Sequence, residues 1–144
     1  MKRWLKRIGY ALLALLVLIQ LVPYGRDHSA PPGDTEPKWD SPRTRELAVQ
    51  AGCFDCHSNH THWPWYSWVA PMSWLVAQDV EDGREQLNFS QFDKRQRNAD
   101  ECADQVRSGE MPLWQYKLAH AGARLSDAER EELAAGLEAT FEDN

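Results

Sequence analysis

From Lys38 to its end, the chain has too little aliphatic side chain to build an ordinary core. Of these 107 residues, 17 are Leu, Val or Phe and none is Ile, about 16 per cent, and the stretch carries a net charge of -8. Such a composition lies close to the disordered class. The same stretch holds six tryptophans, at 39, 63, 65, 68, 74 and 114, together with Tyr66 and Tyr116. Disordered chains are poor in aromatics. The two facts agree if a large, flat, apolar cofactor completes the core and the indoles pack around it, since each ring buries a large area. The competing reading is a small aromatic-rich helical domain without a cofactor.

A five-residue motif decides between them. Cys53-Phe54-Asp55-Cys56-His57 is Cys-x-x-Cys-His, the spacing for covalent attachment of a c-type haem. Two thiols three residues apart on a helical turn can each add to a vinyl edge of one porphyrin, and the next residue brings an imidazole to the iron. One haem c, bound through Cys53 and Cys56 with His57 as ligand, is the expectation. A zinc site needs a second pair of ligands, which Cys102 and scattered histidines do not make. A thioredoxin-like pair belongs near a βαβ pattern, which is absent, and a structural disulfide leaves His57 unexplained.

The sixth iron position has five candidates: Met111, Met72, His60, His62 and His120. Met111 stands 54 residues after His57, in Ser108-Gly109-Glu110-Met111-Pro112, between two helical stretches. Gly109 and Pro112 stiffen that loop, so a thioether there can be held at the haem face opposite His57. Met111 is the expected ligand and His120 the second choice. His60 and His62 follow His57 too closely to cross to the other face, and Met72 is expected to pack as an early helical residue. Cys102 shares a helical face with Ala99, Ala103 and Val106, which makes it a small core residue rather than a reactive thiol. Asn59-His60-Thr61 and Asn88-Phe89-Ser90 match the glycosylation acceptor pattern and are read as chance.

The N-terminus differs in kind from the rest. Lys2, Arg3, Lys6 and Arg7 precede an uncharged run from Ile8 to Val22. With Trp4, Leu5 and Tyr24 the apolar stretch reaches about 21 residues, roughly 30 Å of helix. A cleaved signal peptide and an uncleaved anchor both fit; the absence of a small-x-small cleavage pattern favours the anchor. Basic residues before the run then place the following domain on the outer face of an inner membrane, in the periplasm. The expected organisation is a transmembrane anchor over residues 1–24, a Pro-rich linker over 25–40 and a haem-binding domain over 41–144. Residues 23–144 carry a net charge of -10, which excludes the basic footprint that nucleic acid requires.

Helix signals recur and strand signals do not, so the fold class is all-α. Ser41-Pro42 reads as N-cap and first residue of a helix through Ala51. Further helices are expected over Met72–Asp82, closed by Gly83, and from Asp93 to Ser108. A last one begins at the capping box Ser126/Glu129 and carries Leu133, Leu137 and Phe141 as an apolar stripe.

The chain resembles the bacterial haem-binding domain family, related to class I cytochromes c, over roughly Trp39 to Phe141. The likeness rests on residues 53–92 and 109–129, and specifically on Asn59, Thr61, Trp63-Pro64-Trp65-Tyr66, Pro71, Trp74, Asp79-Val80, Gly83-Arg84 and Leu87-Asn88-Phe89-Ser90. It implies haem on Cys53 and Cys56, His57 as proximal and Met111 as distal ligand, and a small cytochrome c-like fold with the first and last helices packed across each other. One departure is Ala121, where the family commonly has proline after the histidine, which leaves the role of His120 open.

A closed His/Met site suits one-electron transfer rather than enzymatic chemistry, and an acidic surface calls for a redox partner with a basic docking face. The alternative is a haem-based sensor or ligand-binding module in which Met111 is labile. A peroxidase is weaker, since it needs an open distal site with a general acid and base, for which only His60 and His62 are at hand.

Overall fold

The computed structural model describes residues 2–142, whose regular elements are helices joined by turns and irregular segments, with one isolated bridge between Thr35 and Gln91. The chain forms two compact units, Met1–Ser29 with Trp63–Asp79, and Ala30–His62 with Val80–Asn144.

In the smaller unit, α1 runs over Lys2–Ile19. No helix among the described residues is long and apolar enough to cross a membrane. This overturns the expected N-terminal transmembrane helix and the single-pass inner-membrane placement. The physical reason is length. The four cations take up the first turns of α1, and the uncharged part, from Ile8 to Ile19, measures about 18 Å against a hydrocarbon core of about 30 Å. The helix stops where Gln20 turns aside: its amide donates to the Ala70 carbonyl at 2.9 Å, and its oxygen accepts the Ala70 N–H at 3.0 Å. Trp65–Trp68 forms a 3-10 turn before α4, Met72–Gln86, which contributes residues to both units. Met72 is 42% exposed, so the expectation that it packs does not hold.

The larger unit is built on α2 (Pro42–Gln50), α5 (Cys102–Ser108) and α7 (Asp127–Glu142). Ser41 caps α2 by accepting the Thr44 N–H at 3.2 Å. Ser126 and Glu129 form the capping box of α7: Glu129 Oε2 accepts the Ser126 N–H at 2.9 Å and Ser126 Oγ accepts the Glu129 N–H at 3.3 Å. Helix α7 packs against both α2 and α5, around Leu47, Ala48, Ala51, Ala103, Val106, Leu133, Ala134 and Leu137. The indoles do not make this core. Trp39 packs against it, whereas Trp65, Trp68 and Trp114 are 79%, 54% and 70% exposed.

Two helix boundaries differ from expectation. Helix α4 continues past Gly83 to Gln86, and residues 93–101 form turns instead of the first half of a long helix. The Gln86 carbonyl accepts the N–H groups of Arg97 and Asn98 at 3.1 and 3.0 Å, and Gln96 Oε1 accepts the Asn88 N–H at 2.8 Å. The segment folds back to satisfy the end of α4, and α5 starts only afterwards. Short α3 (Cys53–His57) and α6 (Trp114–Ala119) complete the set.

The approach of α2 to α7 depends on Gly136. A β-carbon there would lie 2.1 Å from Thr44 Oγ1 and 2.9 Å from Thr44 Cβ, a clash with the body of a side chain that is itself buried. Gly136→Ala therefore costs about 1–3 kcal/mol by overpacking. Denaturant unfolding reads that loss, and stability equal to the parent would show that the helices separate freely.

Candidate cofactor site

The Cys-x-x-Cys-His motif follows directly on the end of α2. Gly52, with φ of 78°, reverses the chain in a conformation that L side chains rarely adopt and starts α3. The turn carries Cys53, Cys56 and His57 together. Cys53 is a free thiol packed against the core. Burial, with Cys102 nearby, pushes its pKa up to about 12, and burial does the same to Cys102. A redox-active Cys-x-x-Cys needs a depressed pKa, so the environment of Cys53 argues against a thioredoxin-like pair. No group of three or more metal-binding side chains of the zinc type occurs among the described residues. Cys102 packs against the core as a part-buried residue, as its helical face predicts.

His57 is held by the end of α4. Its Nδ1 lies 2.9 Å from the Gly83 carbonyl and 3.0 Å from the Leu87 carbonyl. Carbonyls only accept, so Nδ1 carries the proton and Nε2 keeps a lone pair. Burial lowers the pKa of the imidazole against the opposing pull of these two bonds, so it stays neutral. That is the state of a metal-ligating histidine, oriented through its other nitrogen. Close approach is required: a β-carbon on Gly83 would lie 2.7 Å from the Cys56 carbonyl oxygen. The His57 carbonyl in turn accepts the Phe89 N–H at 2.7 Å. The Phe89 ring, 1% exposed, packs beside those of Phe54 and His57 with centroids 5.1 and 6.2 Å away.

The residues after the motif are fixed by polar side chains. Arg84 donates from Nε to the Ser58 carbonyl (2.8 Å) and from Nη2 to Thr61 Oγ1 (2.9 Å). Asn59 Oδ1 accepts from Asn88 Nδ2 at 3.0 Å, and the Asn59 N–H donates to Ser90 Oγ at 3.1 Å. Asn59 also donates to the carbonyls of Pro32 (3.3 Å) and Gly33 (2.9 Å). Both asparagines are buried, so neither is an accessible glycosylation site.

The distal candidates separate clearly. Met111 is part-buried against the same apolar cluster as Cys53. Its N–H donates to the Gln105 carbonyl at 3.0 Å, and Lys117 Nζ holds the Gly109 carbonyl at 3.1 Å, so its loop is pinned at two points. His60 is an exposed partner of Asp34, with Nε2 2.8 Å from Oδ1. His62 is exposed, and its backbone N–H donates to Asp55 Oδ1 at 3.1 Å. His120 stacks on Tyr116 with ring centroids 4.0 Å apart, its Nδ1 3.1 Å from the Tyr116 carbonyl.

Tyr116, expected only as one of the aromatics of the domain, is a site residue that no motif marks. Its hydroxyl donates to Asp55 Oδ2, inside the motif, and its ring fills the space a side chain on Gly52 would need. Burial first, and Asp55 second, raise the phenol's pKa and keep it a donor. The bond ties α6 to the attachment turn. Tyr116→Phe keeps the ring and removes one bond to a carboxylate, an expected loss of about 1.5–3 kcal/mol. Denaturant unfolding measures it, and an unchanged midpoint would mean that solvent replaces the bond.

The residues present fit a covalently held haem: two thiols on one turn, a neutral imidazole with a free Nε2, and a pinned methionine packed on the same core. No curated protein and no solved structure matches the chain. The family described as "Haem-binding domain" matches residues 14–139. With a match over most of its length, including every residue discussed at this site, the chain belongs to the haem-binding domain family.

Proposed function

We propose that the chain is a monohaem c-type cytochrome domain that carries single electrons, with haem attached through Cys53 and Cys56 and iron held by His57 and Met111. The observation that carries this reading is the His57 imidazole, neutral and fixed through Nδ1 by two carbonyls, immediately after two thiols on one helical turn. When bound, haem supplies a one-electron iron couple whose potential the protein sets through axial ligands, hydrogen bonds and burial. The chain's own contribution is rigidity. The α4 carbonyls fix the direction of His57 Nε2, and Gln105 and Lys117 fix the loop that presents Met111. Neither ligand has to be reorganised when charge changes, which is what a carrier needs. The histidines a peroxidase would use, His60 and His62, lie on the exposed surface, one of them paired to Asp34.

The spectrum of the oxidised protein tests the ligands. A weak far-red methionine-to-iron band is expected in the parent and absent in Met111→Ala, whose ferrous form binds carbon monoxide. Cys53→Ala with Cys56→Ala should let acidified organic solvent extract the haem that the parent retains. A parent without the band, or one binding carbon monoxide at neutral pH, overturns the closed His/Met site and favours the ligand-binding alternative.

The acidic surface, -8 from Lys38 onward, supports a partner with a basic docking face. Reduction by hexaammineruthenium(II) should slow as ionic strength rises, and reduction by ferrocyanide should quicken. Rates independent of salt for both reagents would remove the electrostatic part of the reading.

A further inference from the structure

Asp55 stands between the two thiols, one place before Cys56 and two before His57. Both of its carboxylate oxygens are engaged. Oδ1 accepts the His62 N–H at 3.1 Å, and Oδ2 accepts the Tyr116 hydroxyl, 61 residues away in sequence. The ring of Tyr116 is as closely seated as its hydroxyl: a β-carbon on Gly52, the residue just before Cys53, would stand 2.5 Å from Cε1 and 2.5 Å from Cζ. The same ring stacks on His120, with planes 18° apart. All these residues belong to the larger unit.

The place of Tyr116 along the chain gives this bond its consequence. Helix α6 starts at Trp114, three residues after Met111, and Tyr116 lies on its first turn. The helix and the Met111 loop form one piece: the Lys117 N–H donates to the Leu113 carbonyl at 3.0 Å, and Lys117 Nζ donates to the Gly109 carbonyl at 3.1 Å. Apolar packing holds this piece weakly, since α6 has no buried residue and Leu118 is 68% exposed. On the other side of the bond, Asp55 and His57 share the single turn of α3, and the Gly83 and Leu87 carbonyls fix His57. One side-chain bond therefore joins the segment that carries His57 to the segment that carries Met111. Such a bond fixes distance and direction, which non-directional apolar contact does not.

We propose that the Asp55–Tyr116 bond is a strut that holds the Met111 loop at a fixed separation from the turn bearing His57, which makes Tyr116 a positioning residue for the sixth iron ligand. The strut presupposes the His57/Met111 ligand pair proposed above and adds what keeps Met111 from being displaced. With the bond in place, an incoming ligand has to move α6 together with the thioether. Without it, α6 and the loop swing about the Met111 N–H to Gln105 carbonyl contact.

The haem-loaded, full-length ferric protein is titrated with imidazole at constant pH and ionic strength, and loss of the far-red methionine-to-iron band reads displacement of Met111. Tyr116→Phe keeps the ring against Gly52 and removes the strut, so imidazole should bind about tenfold more tightly or better. Asp55→Asn keeps one acceptor oxygen and should fall between parent and Tyr116→Phe; it carries the test by itself if Tyr116→Phe fails to fold. Gly136→Ala, which loosens the α2–α7 contact, controls for stability lost elsewhere, and its imidazole affinity should stay within about twofold of the parent. Affinity unchanged in the Tyr116 and Asp55 variants, or raised as much by Gly136→Ala, overturns the strut while the parent's band still upholds the ligand pair. A parent that lacks the band removes the His57/Met111 pair and the strut with it.

Discussion

The bond from His57 Nδ1 to the last turn of α4 organises the larger unit. A helix ends with carbonyls that have no partner inside the helix. Here the Gly83 carbonyl takes the Leu87 N–H at 3.0 Å as well as the imidazole, and the Leu87 carbonyl takes the imidazole too. The imidazole is thus both the stopper of a helix and the last residue of the Cys-x-x-Cys-His turn. Burial works against protonation of the ring, and a protonated ring would lose its Nε2 lone pair. The packing that holds the helix end and the electronic state needed for ligation are consequences of one arrangement. Gly83 makes it geometrically feasible, because any side chain there would strike the backbone of Cys56.

What the sequence revealed was mostly local. The Cys53–His57 turn, the Ser41 cap and the Ser126/Glu129 box each act within five residues, and each forms where its residues stand. Gly83 differs from these for the opposite reason. As an isolated glycine near the end of an apolar pattern it reads as a stop, but its role is set by Cys56, 27 positions away in sequence. The turns at residues 93–101 are likewise dictated from a distance, by the unfilled carbonyl of Gln86. Tyr116 lies 61 residues from Asp55 and gives no periodic or motif signal at all. At the N-terminus, composition counted apolar residues but not the Gln20 amide, which pulls the chain toward Ala70 and ends α1 early.

The resemblance singled out polar positions whose purpose becomes clear only in three dimensions. Asn59, Thr61, Arg84, Asn88 and Ser90 are not ligands. They form the hydrogen-bonded frame that carries the chain out of the motif and back to α4. Asn59 and Asn88 are 2% and 6% exposed, and their amides would be costly to bury were they not bonded to one another and, beyond that, Asn59 to the Pro32 and Gly33 carbonyls and Asn88 to the Ser90 N–H. A loop fixed by such side chains needs few aliphatic residues, which is one reason so sparse a composition can hold a defined shape.

Small residues supply the other. Ala48, Ala51, Ala134 and Gly136 lie on the facing sides of α2 and α7, and Thr44 sits where Gly136 leaves room. Helix backbones that approach closely gain dispersion contacts in proportion to proximity rather than to side-chain bulk. Leucines at 47, 133 and 137 then complete a tight layer. Close helix contact thus offsets the shortage of Ile, Val and Leu between these helices, and of the indoles expected to pack around a cofactor, Trp65, Trp68 and Trp114 stand at the surface. Cys53 and Met111, the thiol and the thioether proposed to hold haem, both pack against this layer, so the close approach of the helices also sets where those two side chains stand.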